Sequence, residues 1–274
     1  MTITRQPLAF ACDQDWVLGV ITRPEKPRSR GVLIAVGGPQ YRVGSHRQFV
    51  LLANDLALQG YAVMRFDYRG MGDSTGEPRT FENVGEDLRG AVDHFLSAVP
   101  ELTEVVIWGL CDAASATLFY AHQDPRVTGI VLLNPWVRTV QGEARTYLKH
   151  YYLRHAFSPA PWAKLFRGQF DVAASAAAFV RNLRSAGGAG TQPLPEHMAE
   201  GLARFKGRVL LILSGNDLTA KEFSDVAASS KRWRRLLESP RVAQHRLADA
   251  NHTFSRLEWR DQVARWTSAW LPTW

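Results

Sequence analysis

The chain alternates short apolar runs with stretches in which apolar residues recur at helical spacing. Gly31–Val36 is an almost uninterrupted apolar run that stops at Gly37. Such a run predicts a strand that is buried on both faces of a parallel sheet. Between His46 and Gln59 the apolar residues at 49, 52, 53, 56 and 57 share one helical face, and Gly60 is a predicted C-cap. The pattern therefore begins with a strand that is followed by a helix.

The same alternation continues towards the C-terminus. It predicts further strands at 61–66, 104–108, 129–133, 208–213 and 243–247, and helices at about 82–98, 112–122 and 256–271. The opening residues, around 8–12 and 17–21, predict an antiparallel hairpin at one edge of the sheet. Strands that alternate with helices favour right-handed crossovers and a mostly parallel central sheet with helices on both faces.

One region interrupts this alternation. Between about 137 and 205 no strand is predicted, but aromatic residues are frequent and 185–190 is a glycine-rich run. We interpret 137–205 as a helical lid that is inserted into one α/β core made of residues 1–136 and 206–274. As a set, the aromatic residues favour an apolar pocket, although each of them is equally well explained by packing of the lid onto the core.

The composition is that of an ordinary globular chain, with 274 residues, 46% of them hydrophobic and 22% charged. No run approaches the roughly 20 apolar residues that a membrane-spanning helix needs, and the first residues lack the layout of a signal peptide. The two cysteines, Cys12 and Cys111, fit a reducing compartment. We therefore expect a cytoplasmic protein without an integral membrane segment.

The charge balance is basic, with a formal net charge of +7. The positive charges are spread along the chain, and the densest cluster, Lys231–Arg235, is predicted to lie on a solvated helix face. No nucleic-acid-binding motif accompanies it. We expect a small-molecule substrate and no nucleic-acid partner.

The segment Trp108–Ala114 carries the strongest chemical signal. It lies between a predicted strand and an alanine-rich helix, where a nucleophile elbow places its reactive residue at the apex of a sharp turn. Gly109 and Ala113 stand at the two glycine positions of the G-x-S-x-G pattern, and Cys111 stands where that pattern has serine. The N-terminus of the helix favours a thiolate at this position. Cys111 is therefore the candidate nucleophile, and the alternative is a small buried hydrophobic residue.

Two later strand ends supply the other members of a triad. Asp217 follows the strand predicted at 208–213, and His252 follows the last predicted strand. The chain order of nucleophile, acid and histidine is that of the α/β-hydrolase fold. We expect His252 to take the thiol proton of Cys111 and Asp217 to orient the imidazole. Asp249 lies three residues before His252 and is the alternative acid.

An oxyanion hole needs two backbone N–H groups. One is expected from Asp112, the residue that follows the nucleophile. The second is expected from the loop that follows the first parallel strand, and since proline has no N–H group the candidates are Gly38 and Gln40. For substrate contacts the candidates are Arg42, which could bind an anionic group or remain a solvated loop charge, and Trp136.

These segments resemble the α/β-hydrolase superfamily over almost the whole chain. Asp67–Ser74 (DYRGMGDS) is similar to a D-x-R-G-x-G-x-S loop that is common there. More narrowly, Gly37–Gln48 (GGPQYRVGSHRQ) and Gly109–Ala113 (GLCDA) resemble the exosortase A system-associated hydrolases of the first type. That resemblance implies a cytoplasmic hydrolase with a cysteine at the elbow, in a family that accompanies bacterial exopolysaccharide and protein-sorting gene clusters. It implies no particular substrate.

The sequence thus predicts a hydrolase that cleaves an ester or thioester through an acyl-Cys111 intermediate. Since a thioester need not be hydrolysed quickly, one alternative is an acyltransferase that passes the acyl group to an amine or alcohol. A second alternative is a non-catalytic binding protein with the hydrolase fold. The chain shows neither metal-ligand spacing nor a glycine loop for a nucleotide, so no metal or other cofactor is expected.

Overall fold

The computed structural model describes residues 2–38, 40–137 and 193–274. The strands in these residues are β1 (Ile3–Cys12), β2 (Asp15–Pro24), β3 (Arg30–Ala35), β4 (Val63–Phe66), β5 (Glu104–Leu110), β6 (Val127–Leu133), β7 (Arg208–Ser214) and β8 (Val242–Leu247). The α-helices are α1 (Gln48–Leu58), α2 (Gly85–Ala98), α3 (Asp112–Tyr120), α4 (Leu194–Arg204), α5 (Leu218–Ser229), α6 (Lys231–Leu237) and α7 (Leu257–Trp270). Short 3₁₀ turns lie at Ser45–Arg47, Phe81–Asn83 and Ala121–Gln123.

The strands form one sheet in the order β1-β2-β4-β3-β5-β6-β7-β8. The β1–β2 hairpin pairs antiparallel, and β2 pairs antiparallel with β4. From β4 to β8 the strands are parallel. The predicted mostly parallel sheet with an antiparallel hairpin at its edge is confirmed, and the chain has the α/β-hydrolase fold.

The central strands of the sheet are buried on both faces, which explains why they are almost continuously apolar. Every residue of β3 is buried. Leu33 belongs to a core cluster that includes buried residues of α2, α3 and α4. Ile34, the next residue along the strand, belongs to a second cluster with α1 and α7. Successive side chains point to opposite faces of a strand, so β3 lies between two layers of helices.

The predicted lid at 137–205 falls largely on residues 138–192, which lie outside the described residues. Its described end contains α4, whose Met198 and Leu202 are fully buried in the cluster that contains Leu33. A Cβ on Gly201 would lie 2.0 Å from the carbonyl oxygen of Leu118, so α4 packs directly on α3. Residues 194–204 therefore pack with the core helices. None of the helices described here has both the length and the apolar character that crossing a bilayer requires.

Candidate active site

Cys111 occupies the turn between β5 and α3. Its backbone has φ 64° and ψ −125°, a conformation that residues other than glycine rarely adopt. A Cβ on Gly109 would lie 2.7 Å from backbone atoms of Ala113, so the strand and the helix pass too closely for a larger residue there. The structure therefore contains the sharp strand-to-helix turn that the sequence predicts, with Cys111 at its apex.

Hydrogen bonds to the backbone hold this turn in place. The N–H group of Cys111 donates to the Leu133 carbonyl at 2.8 Å, which joins the apex to the end of β6. The Cys111 carbonyl accepts from the N–H groups of Ala114 and Trp136 at 3.1 and 3.2 Å. Because three segments contribute to these bonds, the strained conformation is imposed by its surroundings.

His252 and Asp217 lie together at the same edge of the sheet. Nδ1 of His252 is 3.0 Å from Oδ2 of Asp217, and the Asp217 side chain is 9% exposed. Oδ2 of Asp217 also accepts the N–H group of Ala220, which caps α5. Asp249, the alternative acid, is exposed in the turn after β8. The acid that contacts the imidazole is Asp217.

The imidazole also contacts the nucleophile. Hydrogen bonds with Asp217 and with Cys111 raise the pKa of His252 to about 10, although burial acts in the opposite direction. Since Nδ1 faces Asp217, the bond to sulfur belongs to Nε2. The three predicted triad residues are therefore brought together in the order thiol, imidazole and carboxylate.

Asn134 supports the histidine loop and was not predicted from the sequence. It is fully buried and has a φ of 43°. Its Nδ2 donates to the His252 carbonyl at 3.0 Å, and its Oδ1 accepts the Ser214 N–H group at 2.9 Å. Asn134 thus joins the ends of β6 and β7 to the His252 loop. A polar residue directly after the buried run at 129–133 was the available signal.

The expected oxyanion hole contains a carboxylate from the chain itself. Oδ1 of Asp112 accepts the N–H group of Gly38 at 2.7 Å. Burial raises the pKa of Asp112, although the bond from Gly38 acts in the opposite direction. The N–H group expected from Gly38 for the oxyanion is therefore occupied by the Asp112 side chain.

The other residues predicted for the oxyanion hole and for substrate contacts are Gln40, Trp136 and Arg42. Oε1 of Gln40 accepts the N–H group of Ser45 at 3.2 Å, and Gln40 lines the cavity at the thiol. Trp136 lines that cavity as well. Arg42 forms ion pairs with Asp67 and Asp73, so its guanidinium already has two anionic partners. A contact of Arg42 with substrate stays a prediction.

The motif at 67–74 is a structural element of the site. Asp67 and Arg69 are both fully buried. Asp67 accepts the Arg42 N–H group at 2.6 Å, and its own carbonyl accepts the Ser74 hydroxyl. Arg69 is paired with Asp87 at 3.1 Å and also with Asp13 and Glu86. These bonds fix the loop that borders the site.

Two neighbouring cavities adjoin the triad. The thiol cavity, of about 460 Å³, is lined by Gly37, Gly38, Gln40, Phe49, Phe81, Leu110, Cys111, Asp112, Trp136 and His252. The second, of about 690 Å³, lies beneath the 68–84 segment. Both are lined by Gly38, Gln40, Phe81 and Asp112. One molecule bound at the thiol can therefore extend into the second cavity.

This arrangement supplies the groups that acyl transfer needs. A nucleophile, a base and an orienting acid are in contact, and backbone N–H donors lie beside the nucleophile. Within residues 2–38, 40–137 and 193–274, no group of His, Cys, Asp and Glu residues is placed to hold a metal ion.

Solved structures of several esterases and hydrolases are similar to the chain. An esterase of Pyrococcus furiosus matches with a TM-score of 0.66 and 17% identity, over 98% of this chain and 93% of the esterase. A dienelactone hydrolase of Anabaena variabilis matches with a TM-score of 0.64 and 16% identity, over 98% of this chain and 97% of that one. At this level of identity the likeness concerns the fold.

A sequence relative matches over a shorter segment. The quorum-quenching protein AidA of Acinetobacter baumannii is 32% identical over 88 residues, which are 31% of this chain and 29% of the relative. The match thus spans less than a third of that relative's length.

The family model described as "Serine aminopeptidase, S33" matches residues 28–217. This range covers well over half of the chain and includes the oxyanion loop, the elbow and Asp217. The family is named for serine, whereas the elbow of this chain carries Cys111. The chain belongs to the serine aminopeptidase S33 family of α/β-hydrolases.

Proposed function

We propose that this protein hydrolyses an ester or thioester through an acyl-enzyme intermediate on Cys111. The observation that carries the proposal is the position of His252, which contacts Asp217 at 3.0 Å on one side and the Cys111 thiol on the other. Hydrolase chemistry is common to the family, and the cysteine nucleophile is the specific part of this proposal.

Acylation begins with the Cys111 sulfur. Nε2 of His252 takes the proton of the Cys111 thiol. Sγ forms a bond to the carbonyl carbon, and the carbonyl π electrons move onto oxygen. As the tetrahedral intermediate collapses, the bond to the leaving oxygen or sulfur breaks, and Nε2 of His252 donates its proton to that atom. Asp217 holds the imidazole in the orientation that this transfer needs.

The oxyanion requires the N–H groups of Gly38 and Asp112. Because the Asp112 carboxylate accepts the Gly38 N–H group at 2.7 Å, it has to leave this position when the carbonyl oxygen of the substrate enters. Removal of one donor from an oxyanion hole costs about 10²–10³-fold in rate. The displacement of Asp112 is therefore part of the acylation barrier.

Deacylation reverses the role of the histidine. Neutral His252 takes a proton from water, the hydroxide oxygen attacks the thioester carbon, and Cys111 leaves as the thiolate. Water supplies the oxygen of the released acid, so the reaction needs no other co-reactant.

The test is a search for the acyl adduct. The protein is mixed with p-nitrophenyl esters and acyl thioesters, and its intact mass is followed beside that of Cys111→Ala and Cys111→Ser. We expect an acyl mass on the wild type that neutral hydroxylamine removes, and no adduct on Cys111→Ala. An adduct on Cys111→Ala, or the absence of any adduct together with slow alkylation of Cys111, would overturn the assignment and favour a binding protein.

Acyl transfer is the second candidate. One feature favours it: the intermediate is a thioester, which water need not hydrolyse quickly. An adduct that persists in water and decays only after an amine or alcohol is added would identify a transferase. Decay in water alone would identify a hydrolase.

We also propose that the chain belongs to a narrower family of α/β-hydrolases. The segments 37–48 and 109–113 support membership of the exosortase A system-associated hydrolases of the first type. That membership implies a cytoplasmic location. Independently of it, the sequence pattern supports a helical lid at 137–205. Fractionation of the producing cell tests the location.

A further inference from the structure

Two side chains that line the second cavity carry buried hydrogen-bond donors for which the described residues offer no acceptor. It has a volume of about 690 Å³ and is bordered by Tyr68 and Arg79. Tyr68 is 3% exposed, and its hydroxyl has no hydrogen-bond partner among the described residues. The Nε atom of Arg79 is also buried and has no partner there. Buried donors without an acceptor are uncommon because each loses its bonds to water.

Arg79 differs in this respect from the arginines nearby. Arg42 is paired with two carboxylates and Arg69 with three. Arg79 forms no ion pair with any residue that the structure describes. It is also the only basic residue among the described residues that line the second cavity. Among the residues that the structure describes, its positive charge thus adjoins the cavity without a counter-charge.

Asp112 is the only acidic residue among the described residues that line this cavity. Its carboxylate is already bound to a backbone group, since it accepts the N–H group of Gly38 at 2.7 Å. Burial, together with the charges of Asp112 and Asp87, raises the pKa of Tyr68 well above its ordinary value. The Tyr68 hydroxyl therefore keeps its proton and remains a donor.

We propose that the second cavity binds a carboxylate of the substrate, with Arg79 supplying the charge and the Tyr68 hydroxyl a hydrogen bond. This inference rests on the proposed function, since the substrate reaches the cavity from Cys111 through the shared wall of Gly38, Gln40, Phe81 and Asp112. The preferred substrates are then acidic esters, whose carboxylate lies in either the acyl part or the leaving group.

Matched ester pairs test this. For the acyl side, kcat/KM is measured for mono-p-nitrophenyl glutarate and for p-nitrophenyl pentanoate, which have acyl chains of the same length. For the leaving-group side, the pair is the pentanoate esters of 4-hydroxybenzoate and of 4-hydroxybenzamide. We expect the wild type to prefer the acidic member of one pair. Arg79→Gln lowers that preference by about tenfold or more, mainly through KM, as expected for a lost charge-assisted hydrogen bond.

Three further variants sharpen the result. Arg79→Lys keeps the charge and restores part of the preference, whereas Tyr68→Phe removes one hydroxyl and lowers it by a smaller factor. Arg235→Gln, on the exposed side of α6, removes an equal charge and keeps the wild-type preference. In Cys111→Ala, which cannot turn over, glutarate raises the melting temperature, and adding Arg79→Gln abolishes the rise.

Two outcomes are distinguishable. If acyl adducts form but neither acidic ester is preferred, or if Arg79→Gln leaves the preference intact, the carboxylate site is wrong and the proposed function stands. If neither these esters nor any of the acyl thioesters acylates Cys111, the proposed function itself fails.

Discussion

The Asp112 carboxylate accepts the Gly38 N–H group at 2.7 Å, and the proposed reaction needs that N–H group for the substrate. Asp112→Ala frees the donor, so we expect the acylation rate constant to rise by about tenfold, the worth of one charged hydrogen bond. Loss of an acidic residue from the first turn of α3 lowers stability by about 0.3–1 kcal/mol. Stopped-flow release of p-nitrophenol measures the rate.

Asp112→Asn is the matched control, because it keeps an acceptor oxygen but loses the charge. We expect it to accelerate acylation less than Asp112→Ala does. A fall in rate for both variants would mean that Asp112 holds the loop in its active form.

The pH profile depends on the Asp217–His252 contact. The hydrogen bonds with Asp217 and Cys111 raise the pKa of His252 to about 10, and protonated His252 is the acid in acylation. Acylation therefore falls as the pH rises through about 10. In Asp217→Asn the histidine loses its carboxylate, so this alkaline limb moves down by about 1 unit or more, and the rate constant falls by up to ~10⁴-fold.

Asp249→Asn serves as the comparison for this profile, since Asp249 is exposed in the neighbouring turn. Its alkaline limb and rate constant should match those of the wild type. A shift in Asp249→Asn and none in Asp217→Asn would reassign the acid of the triad.

Asn134 positions His252 through its carbonyl. Asn134→Ala leaves the Ser214 N–H group and the His252 carbonyl without their bonds, so we expect the free energy of unfolding to fall by about 1–3 kcal/mol. We also expect kcat to fall more than KM rises, because the imidazole drifts. Asn251→Ala, which loses only bonds to Ser255, should change both quantities little. Urea denaturation and steady-state kinetics measure them.

Gly109 is required by the close passage of β5 and α3. A Cβ there would lie 2.7 Å from the Ala113 backbone, so Gly109→Ala should destabilise the protein by roughly 1–3 kcal/mol and slow acylation by moving Cys111. Gly85→Ala is the control, because nothing lies within 4 Å of its Cβ position. It should be neutral or stabilising by up to about 1 kcal/mol. Equal losses in the two variants would contradict this account of the elbow.

Much of the fold could be predicted because the core strands are apolar on both faces. Runs such as 31–36 and 208–213 have few alternatives to a buried parallel strand. The helices α4 and α5 were harder to predict. The sequence pattern favours one lid over 137–205, because it predicts no strand there and 185–190 is a glycine-rich run. In the structure, residues 194–204 of that segment pack on α3.

The triad residues could also be predicted from the sequence. Cys111, Asp217 and His252 each follow a strand, so parallel topology brings them to one edge. The bond from Gly38 to Asp112 was not predictable, since sequence spacing identifies a donor but not the side chain that occupies it. The role of Asn134 was missed for a similar reason. Its two bonds join segments that are distant in the chain.

The order of the strands also bears on how the protein acquires activity while it folds. β5 lies between β3 and β6, and β8, which precedes the histidine loop, pairs with β7. The elbow therefore meets the oxyanion loop and the histidine loop only through contacts between segments that are distant in the chain. Such contacts form slowly because long loops must close first. Folding intermediates with an unfinished sheet therefore carry a thiol without its base. During refolding, the ability to form an acyl adduct should return with the slowest phase, after most of the helical signal has recovered.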